Sequence, residues 1–142
     1  MKNLSLSSKL SSKLSSRLSL YIIIIIACCL ALLDFAYIRV MSAQFNRQIT
    51  RIQGSPIKFN IWAAILCYIS LTFGLYYFII KEKKSIYDAF LFGLVIYSVF
   101  ELTNLTLLRK WSPKIAIIDS LWGGILFSIT TKIVYYILPI II

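Results

Sequence analysis

Asp34, Glu101 and Asp119 are carboxylates set inside segments otherwise apolar enough to cross a bilayer. A charge in hydrocarbon is costly, so such residues face a protein interior or water and often mark function. With Asn104 and Trp122 nearby in the pattern, they support several kinds of chemistry. Three carboxylates and an amide can hold a hard divalent cation such as Mg²⁺ or Ca²⁺, which takes oxygen ligands. They can relay protons. They can grip a phospholipid head, with neighbouring cations on the phosphate and the carboxylates on an amine or hydroxyls. A structural reading stands beside these. The acids can pair with Arg39, Arg109 or Lys114, or hydrogen-bond to Asn104, Tyr and Trp groups, and so lock helices together. The pattern requires no cofactor. Histidine is absent, which removes the commonest metal ligand and general base.

The elements that must position these groups are membrane spans. The chain has 142 residues and is 60% hydrophobic, with mean hydropathy +0.86. A soluble domain of this size keeps too much surface to hide so many apolar side chains. The apolar residues fall into four runs, at about residues 20–38, 59–80, 86–108 and 115–138. Each is near the length that crosses a core of roughly 30 Å. The expected fold is all-α: a four-helix transmembrane bundle over residues 19–142, integral and multi-pass. Residues 39–58 read as a polar connection with a break at Gly54-Ser55-Pro56. Lys81-Glu82-Lys83-Lys84 makes a tight hairpin between spans two and three, and Pro139 is expected to end span four.

Residues 1–18 form a separate basic, Ser/Leu-rich segment. Leu6, Leu10, Leu14 and Leu18 recur every fourth residue, as do Lys9, Lys13 and Arg17. On a helix these make two separate stripes, as in a helix lying on a membrane face. A low-complexity tail and a targeting segment fit the same composition. Cys28, Cys29 and Cys67 lie in apolar runs without disulfide or metal spacing.

Alternating topology brings the three acids into one leaflet. Asp34 lies near the end of span one, Glu101 near the end of span three and Asp119 near the start of span four. At about 1.5 Å per residue all sit roughly 6–10 Å below one surface. Gly93, Tyr97, Glu101, Asn104 and Leu108 share one stripe of span three, and Asp119, Trp122, Gly123 and Leu126 share one of span four. Arg39, Arg47, Arg51, Lys58, Arg109, Lys110 and Lys114 surround the opening on that side. The expectation is an acidic, amide-bearing pocket beneath a basic rim. The net charge of +10 lies almost entirely between the apolar runs, where it meets anionic headgroups. Nucleic acid is not expected, because the aromatics lie in the spans. Seven basic residues fall on each side, so the positive-inside rule assigns no orientation.

The motifs extend this reading. Phe100-Glu101-Leu102-Thr103-Asn104-Leu105-Thr106-Leu107-Leu108-Arg109-Lys110-Trp111, then Asp119-Ser120-Leu121-Trp122-Gly123, resembles the Y-D-L-T-N-L-A-T-L-x-x-W and D-x-x-W-G motifs of a family of short predicted membrane proteins of unknown function. Leu33-Asp34 matches that family's early L-D, and the resemblance covers about residues 22–138. The family's Tyr-Asp is Phe100-Glu101 in this chain, and Tyr37 stands where a tryptophan is usual. The resemblance implies a four-span fold and emphasises the same acids, but brings no activity. Members of the family occur in bacteria and large DNA viruses. With a composition rich in Ile, Lys, Asn and Tyr, typical of AT-rich genomes, this implies a component of a virion internal membrane. The leading functional expectation is therefore a non-catalytic membrane component that binds lipid, or protein partners in the same membrane or a capsid. The alternative is a lipid-modifying enzyme or a small ion- or proton-coupled transporter that uses the intramembrane carboxylates.

Overall fold

A computed structural model describes residues 2–141, with side chains over 12–140. Four helices follow in order: α1 (Lys2–Gln53), α2 (Ile61–Leu75, continued by a π-helical turn Tyr76–Ile80), α3 (Ile86–Leu107) and α4 (Pro113–Ile141). Each contains a stretch long and apolar enough to cross a membrane. The chain is an integral, multi-pass membrane protein with the expected all-helical fold.

Local sequence sets most helix ends. Asn60 caps α2 by accepting from the N–H groups of Trp62 and Ala63. Ser85 and Asp88 form a reciprocal capping box at the start of α3. Gly54, at φ 73°, ends α1, its N–H donating to the Thr50 carbonyl at 2.9 Å. That left-handed position suits glycine because no Cβ is present to clash.

Three boundaries differ from expectation. The connection expected from residue 39 is helical as far as Gln53. No Gly or Pro interrupts α1. Met41, Phe45, Gln48 and Ile52 also repeat at helical spacing, and all four are at least half-buried. The same lack of a breaker carries α1 without interruption past residue 18. Pro139 lies within α4, which runs on to Ile141. Its missing N–H frees one carbonyl in the last turns, where the ladder is ending anyway.

The core is a ladder of fourfold spacings. Ile22, Ile26 and Leu30 of α1 meet Leu71, Leu75 and Ile79 of α2, together with Leu126, Phe127 and Val134 of α4. The crossing of α3 and α4 is the closest. A Cβ on Gly93 would collide with the Gly123 carbonyl, and one on Gly123 would enter the Tyr97 ring. Small residues let helix backbones approach in this way. At the far end Tyr135 donates to the Lys84 carbonyl at 2.7 Å and ties α4 to the hairpin. The outer faces remain apolar: Leu32, Phe35, Trp62, Val99 and Ile117 are all well exposed. Such surface suits hydrocarbon, not water.

Candidate functional site

The α1–α4 and α3–α4 packing brings the three acids to one end of the bundle. Asp34, half-buried on α1, accepts two hydrogen bonds from two other helices. Tyr68 of α2 donates to Oδ2 at 2.7 Å, and the Trp122 indole of α4 donates to Oδ1 at 2.9 Å. Glu101 is 1% exposed, and its Oε2 accepts from the Trp111 indole at 2.6 Å. Asp119, 9% exposed, adjoins the Glu101 carboxyl and the Tyr37 hydroxyl. The Tyr37 ring stacks on Trp122, with centroids 4.4 Å apart and planes 9° from parallel. Its hydroxyl is buried among the acids, without a hydrogen-bond partner of good geometry.

Asp34, Glu101, Asp119 and Trp122 therefore share one neighbourhood, as their depth and faces predict. Asn104 does not join them: it is half-buried, and its side chain hydrogen-bonds none of the acids. Of the two structural alternatives, ion pairs or hydrogen bonds, the structure has the hydrogen bonds to Tyr and Trp groups. Among the described residues the three acids form no pair with Arg39, Arg109 or Lys114. Their donors are neutral aromatic N–H and O–H groups. The acids also do not assemble a divalent-cation site, since among the described residues no three metal-ligating side chains come close enough to hold an ion. The cause is visible in the geometry: Asp34 is turned toward Tyr68 and Trp122, and Glu101 toward Trp111.

Sequence reasoning missed Tyr68, Trp111 and Tyr37 as members of the cluster. The Trp111 indole turns inward across the α3–α4 turn to reach Glu101. The signal was its place in the same motif as Glu101. Tyr68 gave no signal of its own; its role follows from how α2 packs on α1.

The basic rim is only partly assembled. Arg47 and Arg51 of α1 and Lys110 and Lys114 around the α3–α4 turn line a cavity of about 340 Å³, with Gln48 and Ser112 in its wall. Arg39, Lys58 and Arg109 are exposed and lie outside it. Lys110 donates to the Arg51 carbonyl at 3.2 Å, and the Ser112 N–H to Gln48 Oε1 at 2.8 Å. These two bonds join the turn to the extended part of α1. None of the three acids lines the cavity. The cations and the carboxylates are thus two separate sites and not one pocket.

No curated protein and no solved structure is significantly similar to the chain. Residues 18–136 match the family described as predicted membrane protein (DUF2177), and with four spans and that match the chain belongs to this family of unknown function.

Proposed function

We propose that the protein is a non-catalytic structural component of a membrane. In this reading its acids fasten the helices, and its basic face binds anionic lipid headgroups or a partner protein. One observation carries the reading. Asp34 and Glu101 are bonded to neutral donors from other elements, Tyr68, Trp122 and Trp111. Such bonds join α1 to α2 and α4, and α3 to the turn that follows it. They engage both oxygens of Asp34. A virion internal membrane is the setting that fits the composition.

The runner-up, a proton-coupled transporter or a lipid-modifying enzyme, draws support from the adjoining Glu101 and Asp119 carboxyls and the unpartnered Tyr37 hydroxyl. Two adjacent carboxylates repel unless one holds a proton.

Folding yield in lipid and proton flux in reconstituted vesicles separate the two. We expect Asp34→Leu and Glu101→Leu to lower the yield, and wild-type vesicles to pass protons no faster than empty ones. Wild-type flux that Glu101→Gln abolishes at normal yield would overturn the proposal in favour of transport.

A further inference from the structure

We infer that the cup formed by Arg47, Arg51, Lys110 and Lys114 is a binding site for a phosphomonoester, such as the head of a phosphatidic acid. The inference rests on the lipid-binding reading above and gives it a place and a chemistry.

Four cations line one cavity of about 340 Å³, and no acidic side chain lines it with them. Such a concentration of one sign is unfavourable without an anion between its members. The donors are also only partly used. Lys110 has one bond to the Arg51 carbonyl, and Arg47 one from Nε to the Ala43 carbonyl at 3.2 Å. The other guanidinium N–H groups of Arg47, the Arg51 side chain and the Lys114 ammonium have no protein partner. Gln48 gives a separate indication. It is 4% exposed, and its Oε1 is taken by the Ser112 N–H. Its amide nitrogen, on the other arm of the same group, has no protein acceptor and is a further donor in the wall of the cup, available to an anion.

The charge and geometry suit a monoester better than a diester. A phosphomonoester carries about −1.5 to −2 at neutral pH and has three terminal oxygens. A diester carries a single charge on two. Two arginine forks can each engage a pair of oxygens, while the two lysines act as point charges. Gln48 lies fourteen residues beyond Asp34 on the same helix, about 21 Å along its axis. With Asp34 roughly 6–10 Å inside one surface, the cup stands outside the hydrocarbon, with its Met41 end nearest the headgroups.

The test is native mass spectrometry of the full chain from detergent, with phosphatidic acid, phosphatidylglycerol or phosphatidylcholine added. Inorganic phosphate is the soluble competitor. Wild type should retain phosphatidic acid in preference to both other lipids. Arg47→Gln with Lys114→Gln should weaken that retention roughly tenfold or more, the effect expected of losing hydrogen bonds between charged groups. Both residues are exposed, so the fold should survive; Arg51→Gln is the second variant if it does not. Lys81→Gln with Lys84→Gln makes the same charge change at the opposite end and should retain the lipid. Displacement only by a large excess of inorganic phosphate assigns the site to lipid. Inorganic phosphate that binds as tightly as the lipid, and is lost in the same double variant, keeps the site but makes its ligand soluble. Equal retention of phosphatidic acid by wild type and the double variant overturns the cup while leaving lipid binding intact. Equal retention of phosphatidic acid and phosphatidylglycerol overturns the monoester assignment. If wild type retains no anionic lipid and no phosphate, both the cup and the lipid-binding reading fail.

Discussion

Replacing Asp34 by leucine removes the acceptor that joins α1 to α2 and α4. Two bonds are lost, from Tyr68 at 2.7 Å and Trp122 at 2.9 Å. In soluble proteins a hydrogen bond to a charged group carries about 1.5–3 kcal/mol. Between membrane spans the measured mean is about 0.6 kcal/mol, with maxima near 1.7. The membrane figure governs, because unpacked spans in a bilayer also find polar partners. Two bonds then amount to about 1–3 kcal/mol. The cost of holding a carboxylate in hydrocarbon falls on the inserted but unpacked helices too, so it largely cancels from the difference. Leucine also leaves the Tyr68 hydroxyl and the Trp122 N–H without an acceptor, which favours the upper half of that range. Asp34→Asn keeps one acceptor and should lose about half as much. The assay is reversible unfolding in mixed micelles by titration with dodecyl sulfate, run as a double-mutant cycle with Tyr68→Phe and Trp122→Phe. Stability of Asp34→Leu within about 0.5 kcal/mol of wild type would refute the fastening role.

Glu101→Gln should be milder than Glu101→Leu. Glutamine still offers an oxygen to the Trp111 indole, whereas leucine leaves that N–H unpaired at a cost of about 0.6–1.7 kcal/mol; thermal melting of both variants in detergent checks the order. Equal losses for the two would point to the charge and not the bond. Gly93→Ala should destabilise by about 1–3 kcal/mol, because its Cβ meets the backbone carbonyl of Gly123, which cannot move without shifting α4. The same substitution at Gly54 meets no nearby atom, so any loss there comes from its φ of 73° alone, and melting of the pair separates crowding from backbone strain.

The spans and the convergence of the acids were legible because both depend on simple periodicities. A span needs only length and apolarity. Convergence needs only alternating topology and a shared depth, so Asp34, Glu101 and Asp119 could be placed together without any contact being known. The partners were not legible. Whether a carboxylate turns to an arginine or to an indole is decided by ångström-scale packing between helices distant in sequence, as with Asp34 and Trp122. The end of α1 was misread for a different reason. Arg39 through Gln53 is polar enough to resemble a loop, but Met41, Phe45, Gln48 and Ile52 carry a helical stripe through it. That stripe, weighed against the absence of Gly and Pro, was the available signal. The error had a consequence for the rim. Only a helical continuation of α1 brings Arg47 and Arg51 against Lys110 and Lys114, while Arg39 and Lys58 fall away from them.

The chain has three tryptophans, and their placement gives it an internal optical probe. Trp111 donates to Glu101 and Trp122 to Asp34, whereas Trp62 is 74% exposed on the outer surface of α2. In a Trp62→Phe background every remaining indole is bonded to a different intramembrane carboxyl. Fluorescence and the Raman band of the indole N–H then follow those two bonds directly, without a label or a further cysteine. A further Trp111→Phe or Trp122→Phe change leaves one indole and resolves one carboxyl at a time. Spectra of the intact protein in a bilayer can thereby record how each acid responds to lipid, salt or a bound partner.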